Sequence, residues 1–241
     1  MSALVTLRGL HDDLVQFKQD VDRCVSRLPF DAADTGLALD CTDRIERGVA
    51  RFAKLSFVED VDNITMLDIA RTLLTYWRNT APGGRPSPTE AAVRRFAADK
   101  LRDEAILRIP GSPVLAAQTL ATAGRIEGDR DVRLAIIRSL GYLLRTRDET
   151  AIAPSVRTEA ITTLKILADP YTQSDPYVLN AANETLKSLY TIEIGPVTIT
   201  PPARSPSWVS RYKVPLLVTG ATALLAVGGL VWFFAAHPPE R

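Results

Sequence analysis

The sequence predicts an all-α protein: an antiparallel helical bundle continues into a stack of similar helices, and one membrane-spanning helix follows near the C-terminus. Three observations lead to this prediction. Apolar residues recur at steps of three and four in the first half of the chain, helix-length segments of similar pattern follow one another in the second half, and one long stretch near the C-terminus has no charged residue. Steps of three and four mark one face of a helix, and about 20 uncharged apolar residues are enough to span a bilayer.

The first predicted helix covers residues 2–28 and carries a continuous apolar seam. Its members alternate steps of four and three: Ala3, Leu7, Leu10, Leu14, Phe17, Val21, Cys24 and Leu28. Such a seam either joins a partner helix in a coiled coil or packs inside the protein's own bundle. Phe17 and Cys24 are not typical of the seam of a two-stranded coil, so packing within the chain is favoured.

Two further helices, at residues 37–55 and 61–77, complete a predicted N-terminal bundle over residues 1–80. The first two helices can place Cys24 and Cys41 opposite each other if they form an antiparallel hairpin. Neither cysteine belongs to a CxxC motif or a metal-ligand spacing. Two buried free thiols in a reducing compartment are expected, and a disulfide, which needs an oxidising compartment, is the alternative.

A loop rich in proline and glycine at residues 79–86 predicts a domain boundary. It is followed at once by Ser87-Pro88-Thr89-Glu90, in which the serine hydroxyl and the glutamate carboxylate can each accept a backbone N–H of the other residue, as in a capping box. Proline at the first helical position supports a helix start here. The helix is expected to run to about Ile109, and a helical domain to extend over residues 87–191.

Four segments after residue 112 have a similar pattern, and the last three place Val, Ala and Leu on one helical face. They are residues 113–120, 131–140, 155–164 and 177–186. Since offsets of three, four and eight fall on the same side of a helix, each segment buries one stripe. The small alanine in the stripe lets a neighbouring helix approach closely.

The starts of two of these segments, Asp131-Val132-Arg133 and Ser155-Val156-Arg157, are each followed by an alanine and resemble the inner helices of HEAT or armadillo-like repeats. The resemblance covers roughly residues 88–190. The valines are separated by 18, 24 and 22 residues, less than the roughly 40 residues of that class, so each segment can be one helix of a hairpin. The resemblance implies a superhelix of helix pairs that binds a protein partner, with Arg133, Arg138 and Arg157 as candidate contacts.

The helical pattern is followed by a proline-rich linker, residues 192–213, expected to be an extended tether. Residues 214–236 contain no charged residue and are predicted to form one transmembrane helix. Residues expected at its membrane interfaces are Trp208, Arg211, Tyr212, Lys213 and Trp232. Four small residues on the span would allow two such helices to pack closely, which would support a homo-oligomer. They are Thr219, Thr222, Ala223 and Ala226.

The charges around the span predict its orientation. Arg204, Arg211 and Lys213 precede it, whereas the short tail of residues 237–241 has one basic and one acidic residue. Because cytoplasmic flanks carry the excess of Lys and Arg, the N-terminal domain is expected in the cytoplasm, in the arrangement of a tail-anchored protein. The basic flank can also contact anionic headgroups of the bilayer.

The sequence lacks the motifs of phosphate, dinucleotide and zinc-hydrolase sites, and no cofactor, metal or enzymatic activity is expected. After the four basic and one acidic residues beyond position 203 are set aside, residues 1–203 have 25 basic and 27 acidic residues. This balance argues against a nucleic-acid partner. The expected function is a tail-anchored scaffold or adaptor that binds a protein partner. The alternative is a structural subunit of a membrane complex, or a membrane-disrupting effector that acts through oligomers of its transmembrane helix.

Overall fold

A computed structural model of the chain describes residues 2–148 and 150–193, except for the side chains of residues 2–7 and 191–193. Within this part, nine α-helices account for all regular structure except one isolated bridge between Ala81 and Arg85. In chain order the helices are α1 (Ser2–Val25), α2 (Thr35–Phe52), α3 (Asp60–Tyr76), α4 (Glu90–Lys100), α5 (Glu104–Leu107), α6 (Ser112–Ile126), α7 (Arg130–Thr146), α8 (Pro154–Leu167) and α9 (Pro176–Glu193). The all-α prediction is confirmed for these residues.

The long helices form four hairpins stacked in two layers. The hairpins are α1 with α2, α3 with α4, α6 with α7 and α8 with α9. The first members pack side by side in one layer, in the order α1, α3, α6, α8, and the second members pack in the other layer, in the order α2, α4, α7, α9. The four repeated sequence segments lie in α6 to α9, so their prediction as single helices that pack in pairs is confirmed.

Helices within a layer run parallel. Residues that lie close together on neighbouring helices occur in the same order along both helices. In the first layer these pairs are His11 with Asp62 and Lys18 with Asp68, then Arg71 with Thr119 and Arg78 with Glu127, then Ala121 with Thr163 and Gly124 with Leu167. In the second layer they are Ala98 with Ser139 and Glu104 with Tyr142, then Arg130 with Tyr177 and Arg145 with Ser188. The ends of α3, α6 and α8 therefore meet the starts of α4, α7 and α9 at one edge, which we call the turn edge. The ends of α4, α7 and α9 lie at the opposite edge, the exit edge.

The predicted seam of α1 packs within the protein from Leu14 onward. Leu14, Phe17, Val21 and Cys24 are buried against α2 and α3, so packing within the chain is confirmed over this part of the seam. The close approach of α1 and α2 depends on Gly48, because a Cβ there would collide with the Phe17 ring.

Cys24 and Cys41 form a disulfide that joins α1 to α2, with 5.6 Å between their Cα atoms. Both side chains are buried. The expectation of free thiols is therefore wrong, and the alternative holds. The reason is geometric: α1 and α2 are antiparallel, and the two buried stripes meet in a register that brings these two side chains together.

The fourth predicted helix is shorter than expected. α4 ends at Lys100, and the side chain of Asp103 accepts the backbone N–H of Ala105 at 3.1 Å to begin the separate helix α5. The continuous helix to Ile109 is therefore wrong, because an N-cap inside it starts a new helix.

The capping box before α4 forms in one direction only. The Glu90 carboxylate accepts the Ser87 backbone N–H at 2.7 Å, whereas the Ser87 hydroxyl contacts Thr89. The helix consequently begins at Glu90 and not at the proline.

The described residues form one compact unit, and the loop at residues 79–86 connects α3 to α4 within it. The division into domains at residues 1–80 and 87–191 stays a prediction.

None of the helices searched in the described part of the chain is long and apolar enough to cross a membrane. The predicted linker and the predicted span lie outside the described residues, apart from the end of α9.

Candidate functional site

Two of the three arginines predicted to bind a partner hold the turns between helices. Arg133, the fourth residue of α7, donates from Nε to the Glu127 carbonyl at 2.6 Å, directly after α6. Arg157, the fourth residue of α8, donates from Nη1 to the Arg147 carbonyl at 3.2 Å, directly after α7. Both therefore satisfy a carbonyl that the end of a helix would otherwise leave without an intrahelical donor. This shared role accounts for the repeated Val-Arg pattern.

Arg138 differs from the other two. It is exposed in the middle of α7 and forms no hydrogen bond or ion pair with the described residues. The three arginines do not converge on one site: Arg133 lies at the turn edge and Arg157 at the exit edge. Their role in binding a partner stays a prediction.

The turn edge instead carries a row of exposed apolar side chains. Tyr76 is the last residue of α3, Ile126 the last of α6 and Ile166 the next to last of α8, with exposed fractions of 60%, 63% and 39%. Tyr171, between α8 and α9, is 97% exposed, and Tyr177, at the start of α9, is 67% exposed. We call these five residues the apolar row. Because α3, α6 and α8 are parallel neighbours, their ends lie side by side along one edge.

The apolar row is not a sign of a poorly covered core. The last hairpin presents polar residues to solvent, among them Ser155, Thr158, Thr162, Asn180 and Asn183. A polar outer face is what closes the end of a helical stack. Exposed apolar side chains that follow one another along an edge, rich in tyrosine, are typical of a surface that another protein covers.

A buried charged cluster lies beneath the turn edge. Glu127, which follows α6, accepts hydrogen bonds from Arg94 Nε at 3.0 Å, from Arg78 Nη2 at 3.0 Å and from the backbone N–H groups of Gly128 and Asp129 at 3.0 Å. Burial raises the pKa of Glu127, but the hydrogen bonds and charges of the arginines and the Asp129 amide outweigh it and lower the pKa below its usual value.

Glu90 extends the cluster to the loop between α3 and α4. Its Oε1 accepts the Thr80 and Ser87 backbone N–H groups, and its Oε2 accepts from Arg94 Nη1 at 3.2 Å. Arg94 also donates to the Trp77 carbonyl at 3.0 Å. Two carboxylates thus balance the guanidinium groups of Arg78 and Arg94, and each carboxylate oxygen has a donor. The cluster fixes the two turns that present Tyr76 and Ile126, and it leaves no carboxylate free for acid–base chemistry.

Among the described residues, no group of three or more His, Cys, Asp or Glu is placed to hold a metal ion. His11 contacts only one carboxylate, that of Asp62, with Nδ1 2.5 Å from Oδ1.

The residues predicted for the membrane all lie outside the described residues. They are Trp208, Arg211, Tyr212, Lys213, Thr219, Thr222, Ala223, Ala226 and Trp232. Sequence reasoning missed the apolar row, although one signal was present: Tyr76 and Ile126 are large apolar residues that each come at the end of a helix, directly before a turn.

A comparison of the chain with protein-family models, with curated proteins and with solved structures found no match. The resemblance to HEAT or armadillo-like repeats is therefore a proposal based on the sequence pattern and the stacked hairpins.

Proposed function

We propose that this protein is a membrane-anchored adaptor whose helical body, a HEAT-like stack, binds a protein partner through the apolar row. The observation that carries the proposal is the alignment of Tyr76, Ile126 and Ile166 at the ends of three neighbouring helices, all exposed. Each large apolar side chain removed from water contributes about 1.5–3 kcal/mol when fully buried, so a partner that covers the row gains a substantial driving force.

The rigidity of the turn edge supports this role. The cluster of Glu90, Arg94 and Glu127 ties α3, α4 and α6 together directly beneath the row. A surface that is already ordered loses little conformational entropy on binding, which raises affinity. The proposal assigns the protein no catalytic reaction.

The membrane part of the proposal rests on the sequence. Residues 214–236 contain no charged residue and are numerous enough to cross a bilayer as a helix. A proline-containing segment of about 20 residues separates them from α9. The basic residues before the span favour a cytoplasmic body. The Cys24–Cys41 disulfide is the opposing observation, because disulfides persist on the oxidising side of a membrane. Protease protection of an N-terminal tag in sealed membranes decides the orientation and leaves the adaptor role untouched.

The partner-binding role is tested with three serine substitutions in the row of the full-length protein. The triple variant carries Ile126→Ser, Ile166→Ser and Tyr171→Ser. It removes exposed apolar groups, so we expect its folding to be unchanged. Its crosslinking to the partner in cells should fall at least tenfold. The matched control carries Val58→Ser, Val61→Ser and Tyr190→Ser, which are exposed apolar residues at the opposite edge. Equal crosslinking by both triple variants would contradict the proposal.

The anchor is tested separately by extraction. Alkaline carbonate should leave the full-length protein in the membrane pellet and release a fragment that ends at residue 193. A full-length protein that is released as easily as the fragment would exclude the span without affecting the result for the row.

A further inference from the structure

The chain leaves the helical body at the edge opposite the apolar row. Glu193 is the last residue of α9, and the end of α9 lies beside the end of α7, where Arg145 Nη1 donates to Ser188 Oγ at 3.1 Å. The linker and the apolar segment at residues 214–236 therefore follow from the exit edge.

A groove of about 540 Å³ opens at this edge between the end of α2 and α4. Its charged lining residues are Lys54, Arg95, Asp99, Lys100, Arg102 and Asp103. Lys100 is buried and donates to the Leu55 carbonyl at 2.5 Å, with Asp103 at 3.8 Å. The groove therefore has four cationic side chains against two carboxylates.

A second groove, of about 420 Å³, lies between the end of α7 and the start of α8. Arg145, Arg147 and Arg157 line it, against one carboxylate, Asp148. The two grooves are linked through Glu104, which follows Asp103 in the chain and accepts a hydrogen bond from Arg147 Nη2 at 2.7 Å.

Together the two grooves and the exposed Arg108 at the end of α5 form what we call the basic edge. Its basic residues are Lys54, Arg95, Lys100, Arg102, Arg108, Arg145, Arg147 and Arg157, and its acidic residues are Asp99, Asp103, Glu104 and Asp148. Four of these basic residues are exposed, namely Lys54, Arg95, Arg108 and Arg145, whereas Asp148 is the exposed member of the four acidic residues.

We propose that the basic edge binds an anionic membrane surface, so that the helical body rests on the bilayer that its own chain enters. The inference rests on the proposed membrane anchor and adds the chemistry of the surface that the body contacts. Each basic residue close to an anionic leaflet strengthens binding by about fivefold. The surface ends at the start of α3, where Glu59 and Asp60 are exposed and would repel anionic headgroups.

The position of the linker favours the bilayer over other anionic partners. About 20 residues connect Glu193 to Val214, so an anchored body stays within some 60 Å of the membrane. The resulting effective concentration makes a weak electrostatic contact sufficient. The next charged residues along the chain, Arg204, Arg211 and Lys213, are also basic. With the basic edge on the bilayer, the apolar row faces away from it and is open to a protein partner.

The test uses the helical body alone, residues 1–193, which lies within a compact unit with its own core. Flotation with vesicles of phosphatidylcholine, with or without 30% phosphatidylserine, should give at least about tenfold stronger binding to the anionic vesicles at low salt. A quadruple variant should lose this preference: Lys54→Gln, Arg95→Gln, Arg108→Gln and Arg145→Gln. Its matched control removes four basic residues elsewhere and should keep it: Arg27→Gln, Arg85→Gln, Arg125→Gln and Lys165→Gln.

Three results would overturn the inference. One is equal binding of the wild-type body to neutral and anionic vesicles. Another is an equal loss of binding to anionic vesicles in both quadruple variants, provided that circular dichroism shows both to be folded. The third is displacement by potassium phosphate, or by a short DNA duplex, that exceeds the effect of potassium chloride at the same ionic strength, since this indicates a different anionic ligand. Carbonate extraction of the full-length protein reports on the span alone, so failure of the anchor and failure of the basic edge are distinguishable.

Discussion

Arg94 and Glu127 are 33 residues apart in the sequence and form a buried pair with two hydrogen bonds, from Nε at 3.0 Å and from Nη2 at 3.2 Å. The side chain of Arg94 is 8% exposed and that of Glu127 is 1% exposed. The pair lies between the second and third hairpins and fixes their turns. Because both charges are removed from water, each depends on the other for its solvation.

Loss of Arg94 should therefore destabilise the protein strongly. Arg94→Ala leaves Glu127 and Glu90 buried without their main donor, and we expect the free energy of unfolding to fall by about 3–5 kcal/mol. Arg95→Ala is the matched control, since Arg95 is the next residue of the same helix and is exposed, and it should change stability by less than about 0.5 kcal/mol. Urea unfolding of the body measures both, and similar losses for the two variants would contradict the assignment.

The lowered pKa of Glu127 predicts how stability depends on pH. The folded protein binds the Glu127 proton less readily than the unfolded chain, whose value is near 4.5. The contribution of Glu127 is thus present above that pH and is lost as the pH falls through its lower folded pKa. Glu127→Gln should flatten the decrease in unfolding free energy below about pH 5. The decrease should persist in part, because hydrogen bonds from Tyr142 and Arg147 also lower the pKa of Glu104. An unchanged slope would exclude this role.

The helices and their pairing could be predicted because they depend on local periodicity. The charged cluster could not, because Glu127 meets Arg78 and Arg94 only after three helices have packed, and nothing in the local pattern distinguishes it from a surface residue. The apolar row likewise depends on the parallel order of helices within a layer. The break after Lys100 was missed because it depends on a single side chain, that of Asp103, which caps a new helix within a stretch that looks continuous in the sequence.

The disulfide should contribute substantially to stability. Cys24 and Cys41 are 17 residues apart, and closing a loop of that length in the unfolded chain stabilises the folded state by about 3 kcal/mol. Reduction with a phosphine under mild denaturation should lower the unfolding free energy by that amount. The double variant Cys24→Ala/Cys41→Ala should be equally destabilised and insensitive to the reductant. A wild-type protein whose stability does not change on reduction would contradict the pairing.

Gly124 allows α6 and α8 to approach closely. A Cβ at this position would lie 2.8 Å from Thr163 Cγ2 and 3.3 Å from Ile136 Cγ2. Gly124→Ala should therefore cost about 1–3 kcal/mol through overpacking. Thr163→Ser removes the nearest methyl group but keeps the hydroxyl that donates to the Ala121 carbonyl, so the double variant should recover part of the loss. Gly128→Ala is the control, because nothing lies within 4 Å of a Cβ there. Thermal unfolding of the four variants measures the effect, and a destabilised control would point to chain flexibility instead.

His11 should couple the contact between α1 and α3 to pH. Its hydrogen bond to Asp62 raises the pKa of the imidazole above its usual value of 6.5, and the nearby charges of Asp62 and Asp12 act in the same direction. The folded state therefore holds the proton more tightly than the unfolded chain. The resulting stabilisation is complete below the unfolded pKa and is lost as the pH rises through the folded pKa. His11 is the single histidine of residues 1–193, so one imidazole resonance followed by NMR reports its titration. Asp62→Asn should bring the midpoint back toward 6.5, whereas Asp68→Asn, which removes a carboxylate from the same helix, should leave it in place. A wild-type midpoint at or below 6.5 would mean that the imidazole gains nothing from Asp62 in solution.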